Sequence, residues 1–217
     1  MLTLYGTQGS GSAAIEAALA WLGEPVRHVE AASWLPGPGL DELARVNPLQ
    51  QIPTLRLDDG TVLTESAAIL IHLGLAHPQS GLLPAEPSAR ALAIRGLVYI
   101  AANCYAAISI IDYPARWCEG ADADEPLQAR IRAGSRARLH RHWELFADQF
   151  GPPPGRQAFL QGDAPGALDL LAAVVSRWSG SRAHLRAARP DFHAILLRVE
   201  QQPRLAATFA RHWPPVA

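Results

Sequence analysis

Hydrophobic and polar positions divide the chain into two unlike halves. Leu2 to Tyr5 is a short apolar run and reads as a buried strand. From Ser12 to Leu22 the apolar positions Ile15, Ala18, Leu19 and Leu22 recur at helical spacing, and Gly23 suits the left-handed cap that ends a helix. Val26 to Val29 reads as a second strand. Ala31 to Leu40 holds Trp34, two prolines and two glycines, and reads as a loop or an irregular helix. Thr54 to Leu57 alternates, Asp58-Asp59-Gly60 is a turn signal, and Thr61 to Leu63 returns to complete a hairpin. Ser66 to Ala76 is helical again. The first half therefore runs β-α-β, an irregular stretch, then β-β-α.

The rest of the chain offers no strand pattern. His77 to Pro87 carries three prolines and a glycine and reads as a linker. Long helical patterns follow over Leu92 to Ile111, interrupted by Tyr113-Pro114, and over Glu125 to Phe150. Gly151 to Gly155 reads as a loop. Three further helices are expected over Ala167 to Trp178, Asp191 to Glu200 and Arg204 to Trp213. The fold class this implies is α+β, with a small mixed domain over residues 1–79 and an all-helical domain over 86–217.

Composition narrows the chemistry. The 217 residues suffice for a sizeable core, and a formal net charge of -1 gives no global attraction to nucleic acid or to an anionic membrane. All 19 basic residues are arginine, so no lysine is available for a Schiff base or a phosphate-gripping P-loop. Cys104 and Cys118 match no zinc spacing and read as reduced thiols of a cytoplasmic protein. No basic stretch precedes an apolar run near Met1, so no signal peptide is expected. The apolar run Val98 to Ile111 contains Asn103 and Ser109 and is shorter than the roughly 20 residues a membrane span needs. The eight histidines show no ligand spacing, and no metal is expected.

Two short motifs carry the functional signal. In Asn47-Pro48-Leu49-Gln50-Gln51-Ile52-Pro53-Thr54-Leu55, a proline stands immediately before a strand. If the Ile52–Pro53 bond is cis, the Ile52 main-chain groups face outward and can pair with an extended peptide. An ordinary trans-proline at a strand entrance is the bland alternative. About a dozen residues on, Thr64-Glu65-Ser66 opens a helix. Ser66 suits an N-cap, free N–H groups at a helix start bind carboxylates, and Glu65 can take an ammonium. Together they suit the head group of an amino acid. Simple helix capping is the bland alternative here.

The order βαβ–Pro–ββα, the Gln-Ile-Pro-Thr-Leu run, the Asp-Gly hairpin and Glu-Ser together resemble the thioredoxin-like N-terminal domain of cytosolic glutathione transferases of bacterial type. The helical second half is similar in size and layout. The resemblance implies that Ile52, beside a cis-Pro53, pairs with the cysteinyl backbone of glutathione, that Glu65 and Ser66 hold its γ-glutamyl end, and that Gln51 lies near its glycyl end. It implies a thiolate-stabilising hydroxyl near the first helix, for which Ser10, Tyr5 and Ser12 are candidates in that order. The absence of a cysteine there disfavours a mixed disulfide. The helical half is expected to supply the electrophile pocket, with Asn103, Tyr105, Tyr113 and Trp117 as candidates. Asp169, in Gly166-Ala167-Leu168-Asp169, resembles the family's structural capping box. The implied activity is conjugation of glutathione, a co-substrate rather than a cofactor, to small hydrophobic electrophiles by a cytoplasmic homodimer.

Alternatives remain on the same residues. Gly9-Ser10-Gly11-Ser12-Ala13-Ala14, with Glu30 about 20 residues on, fits a dinucleotide-binding fingerprint, although the sheet is short for it. A non-catalytic glutathione-binding or regulatory protein, or a glutathione-dependent thiol–disulfide oxidoreductase or peroxidase, would share the same fold.

Overall fold

The computed structural model describes residues 1–32, 34–152 and 158–214. The first half contains β1 (Leu2–Gly6), α1 (Ser12–Leu22), β2 (Val26–Glu30), α2 (Pro38–Val46), β3 (Thr54–Arg56), β4 (Val62–Leu63) and α3 (Ser66–Ala76). The strands form one sheet in the order β2-β1-β3-β4. β1 pairs parallel with β2 and antiparallel with β3, and β3 pairs antiparallel with β4. Gly23 closes α1 in the left-handed conformation, its N–H reaching the Leu19 and Ala20 carbonyls. At the hairpin, Gly60 has a φ of 89°, and the Asp59 carboxylate accepts the Thr61 N–H at 2.8 Å.

One helix departs from the sequence reading. α2 begins at Pro38, inside the stretch that reads as irregular. Pro38 occupies its first turn, where a missing N–H costs nothing. The glycines and prolines that look like loop formers therefore mark a helix start.

The helical half contains α4 (Pro87–Tyr99), a π-helical segment (Ile100–Tyr105) and α5 (Ala106–Asp112), which run on as one rod. α6 (Glu125–Phe150), α7 (Ala167–Val175), α8 (Ser181–Ala188), α9 (Pro190–Gln201) and α10 (Ala206–His212) follow. The α8 helix and the π-helical segment have no counterpart in the sequence reading. Most of the loop expected over Gly151 to Gly155 lies outside the described residues. The rod Pro87–Asp112 is, at 26 residues, long and apolar enough to cross a membrane. Here its Ala93, Leu97, Ile100, Cys104, Ala107 and Ile111 are buried in the protein core. Only part of it is covered, as expected of a helix with one face on a core.

A single core spans both halves. The buried alanines of α1, Ala13, Ala14, Ala17 and Ala18, let the backbone of α1 come close to its neighbours. Leu4 and Leu55 of the sheet, Leu70 of α3, and Leu97, Leu171 and Phe209 of the helical half join that core. Asp169 sits fully buried at the start of α7, where Oδ1 accepts the Leu160 N–H at 2.8 Å and Oδ2 accepts the Gly166 N–H at 3.0 Å. Burial pushes its carboxyl up to about 7, against the opposing pull of those two donors. Asp169→Ala is expected to leave two buried donors without partners and to cost about 2–4 kcal/mol in urea unfolding.

Candidate active site

A cleft of about 450 Å³ opens between the two halves, the usual place for a small-molecule site. Three corners of the first half form one wall: Gly9-Ser10-Gly11 before α1, Gln51-Ile52-Pro53 before β3, and Thr64-Glu65-Ser66 at α3. The facing wall holds Tyr105, Ile108, Ser109, Asp112 and Tyr113, with Leu171 and Trp178 from further along the chain.

The second corner is stapled from within. The Ile52–Pro53 bond is cis. The Gln51 carbonyl accepts from Asn47 Nδ2 at 3.1 Å and from the Thr54 hydroxyl at 2.8 Å. Asn47 Nδ2 also reaches Thr54 Oγ1 at 2.9 Å, while Asn47 Oδ1 accepts the Leu49 N–H at 3.1 Å. Asn47 and Thr54 are both buried, so this small network is shielded from competing water. The Ile52 N–H and C=O have no partner among the described residues.

At the third corner Glu65, not Ser66, is the residue that caps α3. Its φ of 64° is rare for a side chain of this kind. Ser66 is the first helical residue, and its hydroxyl has no partner among the described residues. The correction moves the serine one place along but keeps it at the helix start, where unpaired N–H groups and the helix dipole favour an anion.

The first corner is held from two sides. The Ser10 hydroxyl donates to the Thr7 carbonyl at 2.7 Å, accepts the Ser12 N–H at 3.2 Å, and lies 2.9 Å from Ser12 Oγ. The last helix clamps the same loop from outside. His212 Nδ1 accepts the Gly9 N–H at 3.0 Å, and Gln8 Nε2 donates to the Arg211 carbonyl at 2.8 Å. That assignment leaves the His212 proton on Nε2, which lies 2.9 Å from Glu16. Burial opposes ionisation of Glu16, but the adjacent His212 and Arg211 prevail and hold its carboxyl below the ordinary range. A residue some 200 positions away in sequence thus fixes the loop that carries Ser10, a link without any local sequence signal.

Comparison with known proteins gives the frame for this cleft. The family model for the glutathione S-transferase N-terminal domain matches residues 4–81. YncG of Escherichia coli K12, described as an uncharacterized GST-like protein, is 33% identical over 132 residues, covering 60% of this chain and 63% of YncG. The match thus spans a little under two thirds of that relative's length. Among solved structures, BphK, a bacterial GST in a ternary complex, superposes with a TM-score of 0.77 at 25% identity, covering 97% of this chain and 98% of BphK. A Sulfitobacter glutathione transferase homologue with bound glutathione superposes with a TM-score of 0.78 at 23% identity, over 95% of this chain and 96% of its own. Residues 4–81 thus match a glutathione S-transferase N-terminal domain, and the whole chain shares the fold of bacterial glutathione transferases.

Of the residues that the glutathione S-transferase resemblance singles out, Ser10, Gln51, Ile52, Pro53, Glu65, Ser66, Tyr105 and Tyr113 line one cleft. Four others do not. Tyr5 is fully buried on the far side of β1, beneath α2, where its hydroxyl donates to Glu42 Oε1 at 2.9 Å. Two hydrogen bonds from Arg27, then that from Tyr5, pull the Glu42 carboxyl down to about 2. Burial, followed by the Glu42 contact, pushes the Tyr5 hydroxyl up. Ser12 is buried behind Ser10 as the first residue of α1. Asn103 turns back along its own helix to donate to the Tyr99 carbonyl at 3.2 Å. Trp117 lies on the surface beyond the cleft.

Trp34, Asp112 and Trp178 line the cleft without having been expected there. Glu65 and Asp112 are the charged side chains on the described cleft wall, and both are acidic. The dinucleotide alternative fails on topology. β1 has a parallel neighbour on one side only, so the doubly wound parallel sheet is absent among the described residues. Asn47→Ala is expected to strip the Gln51 corner of its internal donor and lower stability by about 1–3 kcal/mol in chemical unfolding. Tyr5→Phe, which removes one half-shielded hydrogen bond, is expected to cost about 1 kcal/mol in the same assay.

Proposed function

We propose that the protein binds glutathione in this cleft and presents its thiolate to a small hydrophobic electrophile. The observation that carries the reading is the convergence of three features. The unpaired peptide groups of Ile52, the Glu65-Ser66 start of α3 and an apolar facing wall share one opening of tripeptide size. Glu65 would take the α-ammonium of the γ-glutamyl end, and the Ser66 hydroxyl with the first N–H groups of α3 would take its carboxylate. The Ile52 N–H and C=O would pair with the cysteinyl backbone, as an added strand does. Gln51 and Pro53 would border the peptide. Tyr105, Tyr113 and Trp178, with Ile108 and Leu171, would line the place of the electrophile.

For an aryl or alkyl halide the reaction balances simply. The thiol proton passes to solvent, the sulfur lone pair forms a carbon–sulfur bond, and the halide leaves with the electrons of the broken bond. A free cysteine thiol titrates near about 8.5, so any donor that lowers this value raises the thiolate present at neutral pH. Neither cysteine lines the cleft: Cys104 is buried in the core, where burial pushes its thiol up, and Cys118 is exposed elsewhere. That supports conjugation over thiol–disulfide exchange. The homodimer and the cytoplasmic location belong to the same reading.

Ser66→Ala removes one donor to the proposed carboxylate site. It is expected to weaken glutathione binding by about tenfold in calorimetry, the loss of one hydrogen bond to a charged group. Unchanged affinity would refute the head-group assignment. Glutathione binding without turnover of any halide would instead favour a binding protein.

A further inference from the structure

We propose that the hydroxyl donor to the glutathione thiolate is Tyr105, supplied by the helical half, rather than Ser10, Tyr5 or Ser12. The inference rests on the glutathione reading above and assigns its reacting end.

The hydroxyls near the first helix have no proton to spare. A serine hydroxyl has one proton to give. That of Ser10 is engaged with the Thr7 carbonyl at 2.7 Å, and its oxygen already accepts from Ser12. Ser12 lies behind it, with its own hydroxyl between Ser10 Oγ and the Thr7 carbonyl, at 2.9 Å and 3.3 Å. Tyr5 is on the other face of the sheet, bound to Glu42. Each hydroxyl near the first helix is thus committed to holding its own loop or sheet.

Tyr105, by contrast, stands at the cleft with its hydroxyl unpaired among the described residues. Tyr105 ends the π-helical segment. The wider turn, in which the Ala106 N–H reaches back to the Ala101 carbonyl, rotates the helix out of regular register there. The Tyr105 ring leans on Trp178, with ring centres 5.7 Å apart. Its hydroxyl lies against Gly11, at the start of α1. A methyl group added at Gly11 would fall within van der Waals overlap of that oxygen and 3.5 Å from Pro53 Cδ. The hydroxyl therefore sits where the α1 start meets the Ile52–Pro53 corner, and has no partner among the described residues. A cysteinyl residue paired with Ile52 would carry its sulfur into this junction.

Burial, with smaller contributions from the Asp112 and Glu65 carboxylates, pushes the Tyr105 hydroxyl up to about 12. It therefore stays protonated, and able to donate, across the physiological range. The bond it would offer is a hydrogen bond to a charged sulfur in a partly desolvated site, the kind worth most.

The test titrates the thiol of bound glutathione by its ultraviolet thiolate absorbance in the full-length protein. Tyr105→Phe keeps the ring on Trp178 and removes only the donor. It is expected to raise the thiol pKa by about one unit, a tenfold loss of thiolate below that pKa. The conjugation rate should fall to match and recover as the pH is raised. Ser10→Ala should move the pKa by less. Gly11→Ala, whose methyl displaces the Tyr105 hydroxyl without deleting it, should shift the pKa in the same direction as Tyr105→Phe. The proposal is overturned if Tyr105→Phe leaves the pKa in place, or if Ser10→Ala moves it further. Calorimetry on the unaltered protein separates the two levels. Glutathione bound with no Tyr105 effect sinks this inference alone, whereas no glutathione binding removes the glutathione reading and this inference together.

Discussion

The burial of α1 is the constraint on which the rest of the molecule depends. This alanine-rich helix is covered by the sheet and α3 on one side and by α7 and α10 on the other. A bulkier sequence would hold those elements apart. Because side chains as small as Ala13, Ala14, Ala17 and Ala18 line it, one apolar core runs through both halves. The two halves therefore act as one packed unit around α1, and the cleft is the gap left where they meet.

That arrangement explains why the cleft corners are fixed by buried polar groups. Asn47 and Thr54 hold the Gln51 carbonyl, Ser10 closes its own loop on Thr7, and His212 takes the Gly9 N–H. Each satisfies a polar group that the packing would otherwise strand. The same logic operates at α7, where Asp169 takes the Leu160 and Gly166 N–H groups in the interior. Each of these side chains is engaged in holding the fold. Among the groups that the cleft leaves unpaired among the described residues are the Ile52 peptide, the start of α3 and the Tyr105 hydroxyl, and these carry the proposed chemistry.

Much of this was legible in the chain itself, for physical reasons. Periodic apolar positions and a capping glycine predict α1 over the residues it occupies, and α3 and α6 likewise. The Gln51–Thr54 and Glu65-Ser66 motifs identify two of the three cleft corners through their order and spacing, since each alone also suits an ordinary strand entrance or a simple helix cap. Other features were out of reach. α2 starts in a proline- and glycine-rich stretch that local propensity reads as a loop or an irregular helix. The π-helical segment, which ends at Tyr105, leaves no periodic mark, although the family resemblance already named Tyr105 as a pocket candidate. Tyr5 was misplaced because a strand alternates faces, and only the position of α2 decides which face is covered. Trp117 and Asn103 share a helix or its sequel with true cleft residues but point elsewhere, a matter of rotation that spacing alone does not settle once a π-turn intervenes.

The central claim is that the cleft receives glutathione at the junction of the two halves, with its sulfur meeting a donor from the helical one. A crystal structure of the protein soaked with glutathione tests this most directly. The account predicts the γ-glutamyl head at Glu65 and Ser66, the cysteinyl backbone paired with Ile52, and the sulfur within hydrogen-bond reach of the Tyr105 hydroxyl. A sulfur held by Ser10 and turned away from Tyr105, or a tripeptide bound outside this cleft, would contradict it.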